Sequence, residues 1–403
     1  MSLYAFYCRA FQKALKLATI FLDWNGPELL KGAGSVKELP KLIKSHGLQK
    51  VLVVTDPGLM KIGLPAPLLQ GLENQGIAAA VYDQTNPNPT IQNIEQARAL
   101  YVAQNCQGII AFGGGSPMDC AKGVGARLVR PKKTIPQLRG LLKVIKKLPP
   151  FYAIPTTAGT GSETTIAAVV SNPETHEKYP INDPVLRPRY AVLDPELTIG
   201  LPPHITSTTG MDALTHAVEA YIGKSNTRDT AQKSLDATRL IFANLEAAYK
   251  NGKNLAARDA MLLASFYAGV AFTRAYVGYV HAIAHNLGGM YNVPHGLANA
   301  IILPYVLDYY GESAHARLAD LADAAGITSP NDSAAGKAKA FIAEIRAMNE
   351  RMGIPTGFDC IQESDIPTIA SRALKEANPL YPVPKLMNLA DCIGLIRTLR
   401  LQG

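Results

Sequence analysis

The sequence predicts an α/β dinucleotide-binding domain built on a parallel sheet, followed by an all-helical domain. Three observations lead there. Short β-rich runs alternate with helical stretches up to about residue 200, glycine-rich turns close two of those runs, and residues 211–403 are long Ala- and Leu-rich helical stretches without a convincing strand. A chain of 403 residues also exceeds what one hydrophobic core holds, which favours two domains.

Residues 1–28 form an N-terminal extension. Its start, "MSLYAFYCRAFQKALKLATIFLDW", is apolar, basic and free of acids before Asp23. Arg9, Lys13 and Lys16 interrupt any signal-peptide core, and no small-residue cleavage site follows. The stretch reads as an amphipathic extension packing on the body or on a neighbouring subunit, with weak membrane-surface attachment as the other reading. Residues 29–202 carry the α/β pattern. "KVLVVTD" (50–56), "IAAAVYD" (77–83), "GIIAFGGG" (108–115) and "FYAIPTT" (151–157) read as buried strands, with "GLMKIGLPAPLLQGLENQG" and "TIQNIEQARALYVAQN" as helices between them. Prolines 202 and 203 mark the boundary, and residues 203–403 form the helical domain. A helical domain after an α/β domain leaves a cleft, a common place for a ligand.

Bulk composition excludes several classes. With 47% apolar and 18% charged residues this is ordinary globular material. The net charge of +8 raises the question of an anionic partner. The densest basic segment, "RLVRPKKTIPQLRGLLKVIKK" (127–147), has no aromatic residue, zinc-knuckle spacing or RNA-reading motif, so it reads as a solvated face and not as a nucleic-acid patch. The five cysteines are odd in number, far apart and without a CxxC pair, which speaks against a disulfide framework and for a reducing cytoplasm. No uninterrupted apolar run approaches the roughly 18 residues of a membrane span.

The stretch "YVHAIAHNLGGMYNVPHGLANA" (279–300) gathers His281, His285 and His295, three of the eight histidines. Upstream, "GMDALTHAVEAY" places Asp212 and His216 four residues apart, one helical turn along one face, and His281 and His285 repeat that spacing. "PHGLANAIILPYVL" reads as a third helix with Pro294 in its first turn. Three helices can thus aim one carboxylate and three imidazoles at one point. Such a set suits a borderline divalent ion, Fe²⁺ or Zn²⁺, without thiolate softness. The zinc-protease pattern HExxH is absent, because "HAIAH" has Ala282 at the general base's place.

In "GIIAFGGGSPMDCAK" a strand meets a glycine turn and then a helix, with Ser116 as candidate N-cap, Pro117 as first helical residue and Asp119 at N3. Glycines 113–115 let backbone N–H groups approach a phosphate at the helix start. "PTTAGTGSE" (155–163) is a second such turn. Neither is GxGxxG, yet two of them at strand ends of one sheet favour a dinucleotide. Asp56, closing "KVLVVTD", can bind ribose hydroxyls and would repel a 2′-phosphate, favouring NAD over NADP.

Together, "GGGSPMDCAK", "TTAGTGSE", "GMDALTHAVEAY" and the histidine stretch through "PHGLANA" resemble the iron-containing (group III) alcohol dehydrogenases over roughly residues 30–400. The resemblance implies a dehydroquinate synthase-like fold and an oligomer, a dimer or larger. It places metal ligands on Asp212, His216, His281 and His295, and a non-ligand histidine near substrate on His285. It places cofactor contacts on Asp56, Asn88 of "NPNPT", Gly114, Gly115, Ser116, Thr156, Thr157, Thr160, Thr165, Lys178 and Leu197. Two departures bear on substrate choice: Ala167 stands where some members carry Asn, and "NPLYPVPKLM" (378–387) replaces an "NPR" form.

The expected activity is reversible hydride transfer between a small primary alcohol or diol and NAD, with His285 relaying the hydroxyl proton. A glycerol dehydrogenase-like enzyme typically uses one Asp and two His. A dehydroquinate synthase-like lyase needs several basic residues, where the metal-bearing helices here are mostly apolar. A basic binding module would show salt-sensitive nucleic-acid binding and no response to NADH.

Overall fold

The structure, a computed structural model, describes residues 3–19, 22, 24–173, 177–329 and 331–401, so residues 1, 2, 20, 21 and 23 of the expected extension lie outside it. The chain divides into two units, Asp23–Gly200 and Met1–Leu22 with Leu201–Gly403. Helix α1 (Leu3–Ala18) therefore belongs with the C-terminal residues.

In the unit Asp23–Gly200, nine strands make two sheets. They are β1 (Glu28–Lys31), β2 (Lys50–Val54), β3 (Ala78–Tyr82), β4 (Gly108–Gly113), β5 (Gly140–Leu141), β6 (Phe151–Pro155), β7 (Ala167–Asn172), β8 (Glu177–Asn182) and β9 (Tyr190–Leu193). The larger sheet is parallel throughout, in the order β1-β9-β6-β4-β2-β3, with Val53 opposite Ile110 and Ala111 opposite Ala153. Successive side chains of β2 enter different apolar clusters: Leu52 and Val54 go to one, Val51 and Val53 to the other. Burial on both faces explains why these strands read as continuous apolar runs. Helices α2 (Leu39–Ser45), α3 (Pro57–Lys61), α4 (Ala66–Asn74), α5 (Ile91–Ala103), α6 (Gly115–Val129) and the single turn α7 (Ile135–Leu138) connect them. The helical stretch expected after β2 is two helices, because Gly63 takes φ +70° and Pro65 follows. The three-stranded sheet β5-β8-β7, with β7 and β8 antiparallel, had no counterpart in the sequence reading.

The other unit is helical: α8 (Pro203–Ile222), α9 (Arg228–Lys250), α10 (Leu255–Ala275), α11 (Tyr279–Tyr291), α12 (His295–Tyr310), α13 (His315–Ala325), α14 (Ala334–Arg351), α15 (Ile366–Ala377) and α16 (Leu389–Thr398). Its one β-type pairing among the described residues is the isolated bridge Phe358–Arg400. Helix α10 is long and apolar enough to cross a membrane by composition. Yet 56% of its apolar window is buried within the protein, as befits a core helix packed on α8 and α9. Helix α12 continues through Pro304, which cannot donate to the carbonyl of Ala300. The buried Asn349 Nδ2 donates to that oxygen instead, at 2.7 Å.

Candidate metal centre and dinucleotide edge

Helix α8 is buried over most of its length, so Asp212 and His216, one turn apart, face inward without solvent. Asp212, His216 and His281, the last in the first turn of α11, offer ligand atoms that all lie within 4.8 Å of one another. His295, the first residue of α12, brings Nε2 to 3.6 Å from the Asp212 carboxylate, and His281 Nε2 stands 3.9 Å from the same oxygen. The rings of His216 and His281 stack at 4.5 Å, and those of His281 and His295 lie 5.4 Å apart.

The hydrogen bonds within the cluster test whether a cation fits. His281 Nδ1 is held by Glu219 Oε2 at 2.6 Å. With Nδ1–H donated there, Nε2 is a lone pair directed at a carboxylate oxygen. Asn299 Nδ2 donates to Asp212 Oδ1 at 2.6 Å and also lies 3.2 Å from His281 Nε2 and 3.1 Å from His295 Nε2. Asn299 Oδ1 is itself buried without a hydrogen-bond partner among the described residues. A carboxylate oxygen and two imidazole nitrogens thus meet at one buried point. In a tetrahedral site with bonds of about 2.1 Å, ligand atoms stand roughly 3.4 Å apart, and the Asp212 oxygen is 3.6 Å and 3.9 Å from the two imidazole nitrogens. The residues present fit a divalent ion.

Burial, and after it the neighbouring imidazoles, hold the pKa of His281 well below its usual value, so the ring stays neutral, the form that binds a metal. Glu219 is the residue the sequence reading missed. It accepts from the backbone N–H of Gly278 and Val280, both at 2.8 Å, besides holding His281, and burial pushes its carboxyl up to about 7. The signal was present: Glu219 follows His216 by three residues on α8, and Asn299 follows His295 by four on α12. Replacing Glu219 by Gln is expected to weaken metal retention roughly 10–100-fold, read as the free-metal concentration at half occupancy, with secondary structure unchanged. Unaltered retention would show that His281 needs no such support.

His285 borders the cluster: its ring stacks on that of His295 at 5.2 Å and lies 6.0 Å from that of His281. Its Nδ1 pairs with Glu376 Oε1 at 2.7 Å, the Tyr381 hydroxyl donates to the same oxygen at 2.9 Å, and the imidazole is 38% exposed. Glu376 lies 91 residues from His285 and gave no sequence signal.

The second constellation lies in the unit Asp23–Gly200. Asp56 follows β2, Gly114–Ser116 follow β4 and Thr156–Thr157 follow β6, three neighbouring parallel strands, so all sit at one sheet edge. The connection order reverses between β2 and β4, the switch point where open α/β sheets take ligands. The turns touch. Thr156 N donates to Gly113 O at 3.1 Å, and a Cβ on Gly115 would meet Thr160 Cγ2 at 3.2 Å. One on Gly114 would meet Thr157 Oγ1 at 3.3 Å, so these glycines keep a narrow backbone groove open. Ser116 is not the N-cap that the sequence suggested. Helix α6 starts at Gly115 with Gly114 as cap, because Gly113 at φ +150° turns the chain two residues earlier than a cap at Ser116 requires. Ser116 Oγ instead accepts from Asn88 N at 3.1 Å. Pro117 accordingly sits two residues inside the helix, and Asp119 makes no bond to a cap. Asp119 Oδ1 accepts from Ser162 Oγ, and burial pushes its carboxyl up to about 6.

Beneath the second turn lies Lys122, fully buried and lowered by burial to about 8. Its Nζ donates to Ser162 O, Ser162 Oγ, Thr165 Oγ1 and Ala167 O, at 2.7–3.0 Å. It pins the turn to α6, and Thr165 belongs to this clamp. Asp56 caps α3, accepting from Leu59 N at 3.0 Å through one oxygen. Lys178 lies on β8, where burial lowers its pKa, and Leu197 is buried in the 3₁₀ turn after β9 within the apolar cluster.

A parallel-sheet edge with two glycine turns and a buried carboxylate–imidazole cluster suit a protein that uses a dinucleotide and a divalent metal. The family profile described as "Iron-containing alcohol dehydrogenase" matches residues 27–195, and that of the "Fe-containing alcohol dehydrogenase family, C-terminal" matches residues 206–399. The chain is 41% identical to 1,3-propanediol dehydrogenase of Klebsiella pneumoniae over 91% of its own length and 95% of that protein. It is 35% identical to the NAD-dependent methanol dehydrogenase of Bacillus methanolicus, over 92% and 97%. A crystal structure of a 1,3-propanediol oxidoreductase superposes with a TM-score of 0.91 at 37% identity, covering 94% of this chain and all of that one. The protein belongs to the iron-containing alcohol dehydrogenase family and is an NAD-dependent alcohol and aldehyde oxidoreductase.

Proposed function

We propose that Asp212, His216, His281 and His295 hold Fe²⁺, with Zn²⁺ as the alternative ion, and that the enzyme interconverts small primary alcohols or diols and their aldehydes. The observation that carries this is the convergence of Asp212 Oδ1, His281 Nε2 and His295 Nε2 on a single buried amide nitrogen, at 2.6–3.2 Å. Bound there, the ion would polarise the substrate oxygen and lower the hydroxyl pKa, while NAD takes up the hydride.

The chain's residues divide the remaining work. Glu219 fixes the tautomer and orientation of His281. His285 takes the hydroxyl proton and passes it to solvent; its exposure and its pairing with Glu376 suit a relay. At the sheet edge, residues 29–202 bind the dinucleotide. Gly114, Gly115 and Ser116 at the start of α6 take the pyrophosphate, with Asn88, Thr156, Thr157, Thr160 and Thr165 around them, and Lys178 and Leu197 farther along the cofactor. Asp56 has a second carboxylate oxygen for ribose hydroxyls and favours NAD over NADP. The fourth ligand separates this reading from a glycerol dehydrogenase-like one. Residues 203–403 form the catalytic domain, and the enzyme works in the cytoplasm as a dimer or larger assembly.

Protein purified without oxygen is expected to carry about one divalent ion per chain, iron above zinc, and to oxidise NADH faster than NADPH with small aldehydes. Elemental analysis and NADH absorbance check it. Metal-free protein with full turnover, or an indifference to aldehydes, would end the reading.

A further inference from the structure

Helix α1 is amphipathic in the inverse sense of a core-packed helix. Its polar side faces the protein. Gln12 is buried and donates through Nε2 to Pro379 O at 2.9 Å and Tyr381 O at 2.8 Å. Arg9 reaches Pro384 O at 3.2 Å, Lys16 donates to Asn226 O at 3.0 Å, and Cys8 is fully buried between them. The opposite side is apolar and open: Leu3 is 86% exposed, Tyr4 56%, Phe6 59%, Tyr7 53%, Phe11 37% and Leu17 64%. Tyr4, Tyr7 and Phe11 run along it at helical spacing, neighbouring rings 6.4–6.5 Å apart, with the exposed Ala10, Ala14 and Ala18 filling the rest. Four hydrogen bonds to residues 226–384 fix which way the helix faces, so rotation cannot hide this surface.

A contiguous exposed apolar face rimmed by charge marks an interaction surface. Its charge selects the partner. Residues 1–22 contain Arg9, Lys13 and Lys16 and no Asp or Glu, and Lys13 lies on the exposed side. Lys224 stands close enough to Arg9 to feel its charge. A second copy seated on the same face in a two-fold contact would bring the Lys13 side chains of the two chains onto one shared surface, with no acid on either helix to balance them. A surface carrying negative headgroups above an apolar layer complements both features, and tyrosines at the boundary suit such an interface.

We propose that α1 lays Leu3, Tyr4, Phe6, Tyr7, Phe11 and Leu17 into the surface of an anionic lipid bilayer, with Lys13 at the edge of that face among the headgroup phosphates. The helix lies in the plane of the interface and does not cross it. The dehydrogenase is thereby a peripheral membrane enzyme whose attachment is separate from its chemistry.

The test is sedimentation of the full-length protein with vesicles of phosphatidylcholine alone and of phosphatidylcholine with phosphatidylglycerol. Binding to the anionic vesicles is expected to exceed that to the neutral ones at least tenfold and to fall with added salt. The double variant Tyr7→Glu/Phe11→Glu, which changes only exposed side chains, is expected to lose at least tenfold of that binding while keeping wild-type alcohol oxidation. Analytical ultracentrifugation without lipid is expected to give variant and wild type the same mass. Equal sedimentation of the two proteins, or no preference for anionic vesicles, overturns the proposal. A lower mass for the variant also overturns it, by showing that a second copy covers the helix.

Discussion

Replacing His295 by Ala is expected to remove the metal and, with it, turnover. His295 supplies its Nε2 from the first turn of α12, and its side chain is 40% exposed, so truncation leaves little cavity in the fold. The acceptors left behind then have one fewer imidazole to share a cation with. Polarisation of the substrate oxygen by a bound ion is worth several kcal/mol, and about 4 kcal/mol corresponds to roughly 10³-fold in rate. Metal content near zero by elemental analysis, a fall in kcat of about that size and an unchanged melting temperature of the metal-free protein are expected together. His281→Ala should lose metal and activity equally. It should also destabilise the fold, because it leaves Glu219 buried without its imidazole partner. Full activity in either variant without metal would defeat the assignment.

Gly113→Ala is expected to disable the dinucleotide edge. Gly113 ends β4 at φ +150°, a conformation that L side chains rarely adopt, and an added Cβ would stand 2.5 Å from Pro117 Cγ and 3.3 Å from Leu59 Cδ1. Pro117 belongs to the first turn of α6, and Leu59 to the short helix that Asp56 caps. Neither contact can be relieved without moving a segment assigned to the cofactor. Strained backbone of this kind costs about 1–3 kcal/mol, so NADH affinity should fall roughly 5–150-fold by fluorescence titration. Metal content, which depends on residues in the other unit, should stay as in the wild type. A variant that binds NADH normally would show that the turn does not hold the cofactor.

The residues proposed to hold the metal were legible because helical spacing is local. Asp212 and His216 share a face of α8 by arithmetic alone. Glu219, three residues beyond His216, obeys the same arithmetic. Its burial and its bonds to Gly278, Val280 and His281 join residues about sixty positions apart, which no local pattern encodes. Glu376, the partner of His285, was out of reach for the same reason. The glycine turns were recognised, yet the cap was misplaced by two residues, since the choice between Gly114 and Ser116 depends on a backbone angle at Gly113 that residue types leave open.

By itself the sequence determined what periodicity and composition can carry: a parallel α/β part from buried apolar runs, a helical part from Ala- and Leu-rich stretches, and a carboxylate and imidazoles at metal-binding spacing. Tertiary structure alone decided the hydrogen-bond partners that orient those groups, the short sheet β5-β8-β7, the Lys122 clamp and the direction in which α1 turns its aromatic face. The physical reason is range. Residue spacing sets which side chains share a face, but burial and hydrogen-bond satisfaction are settled between segments that meet only when the chain folds.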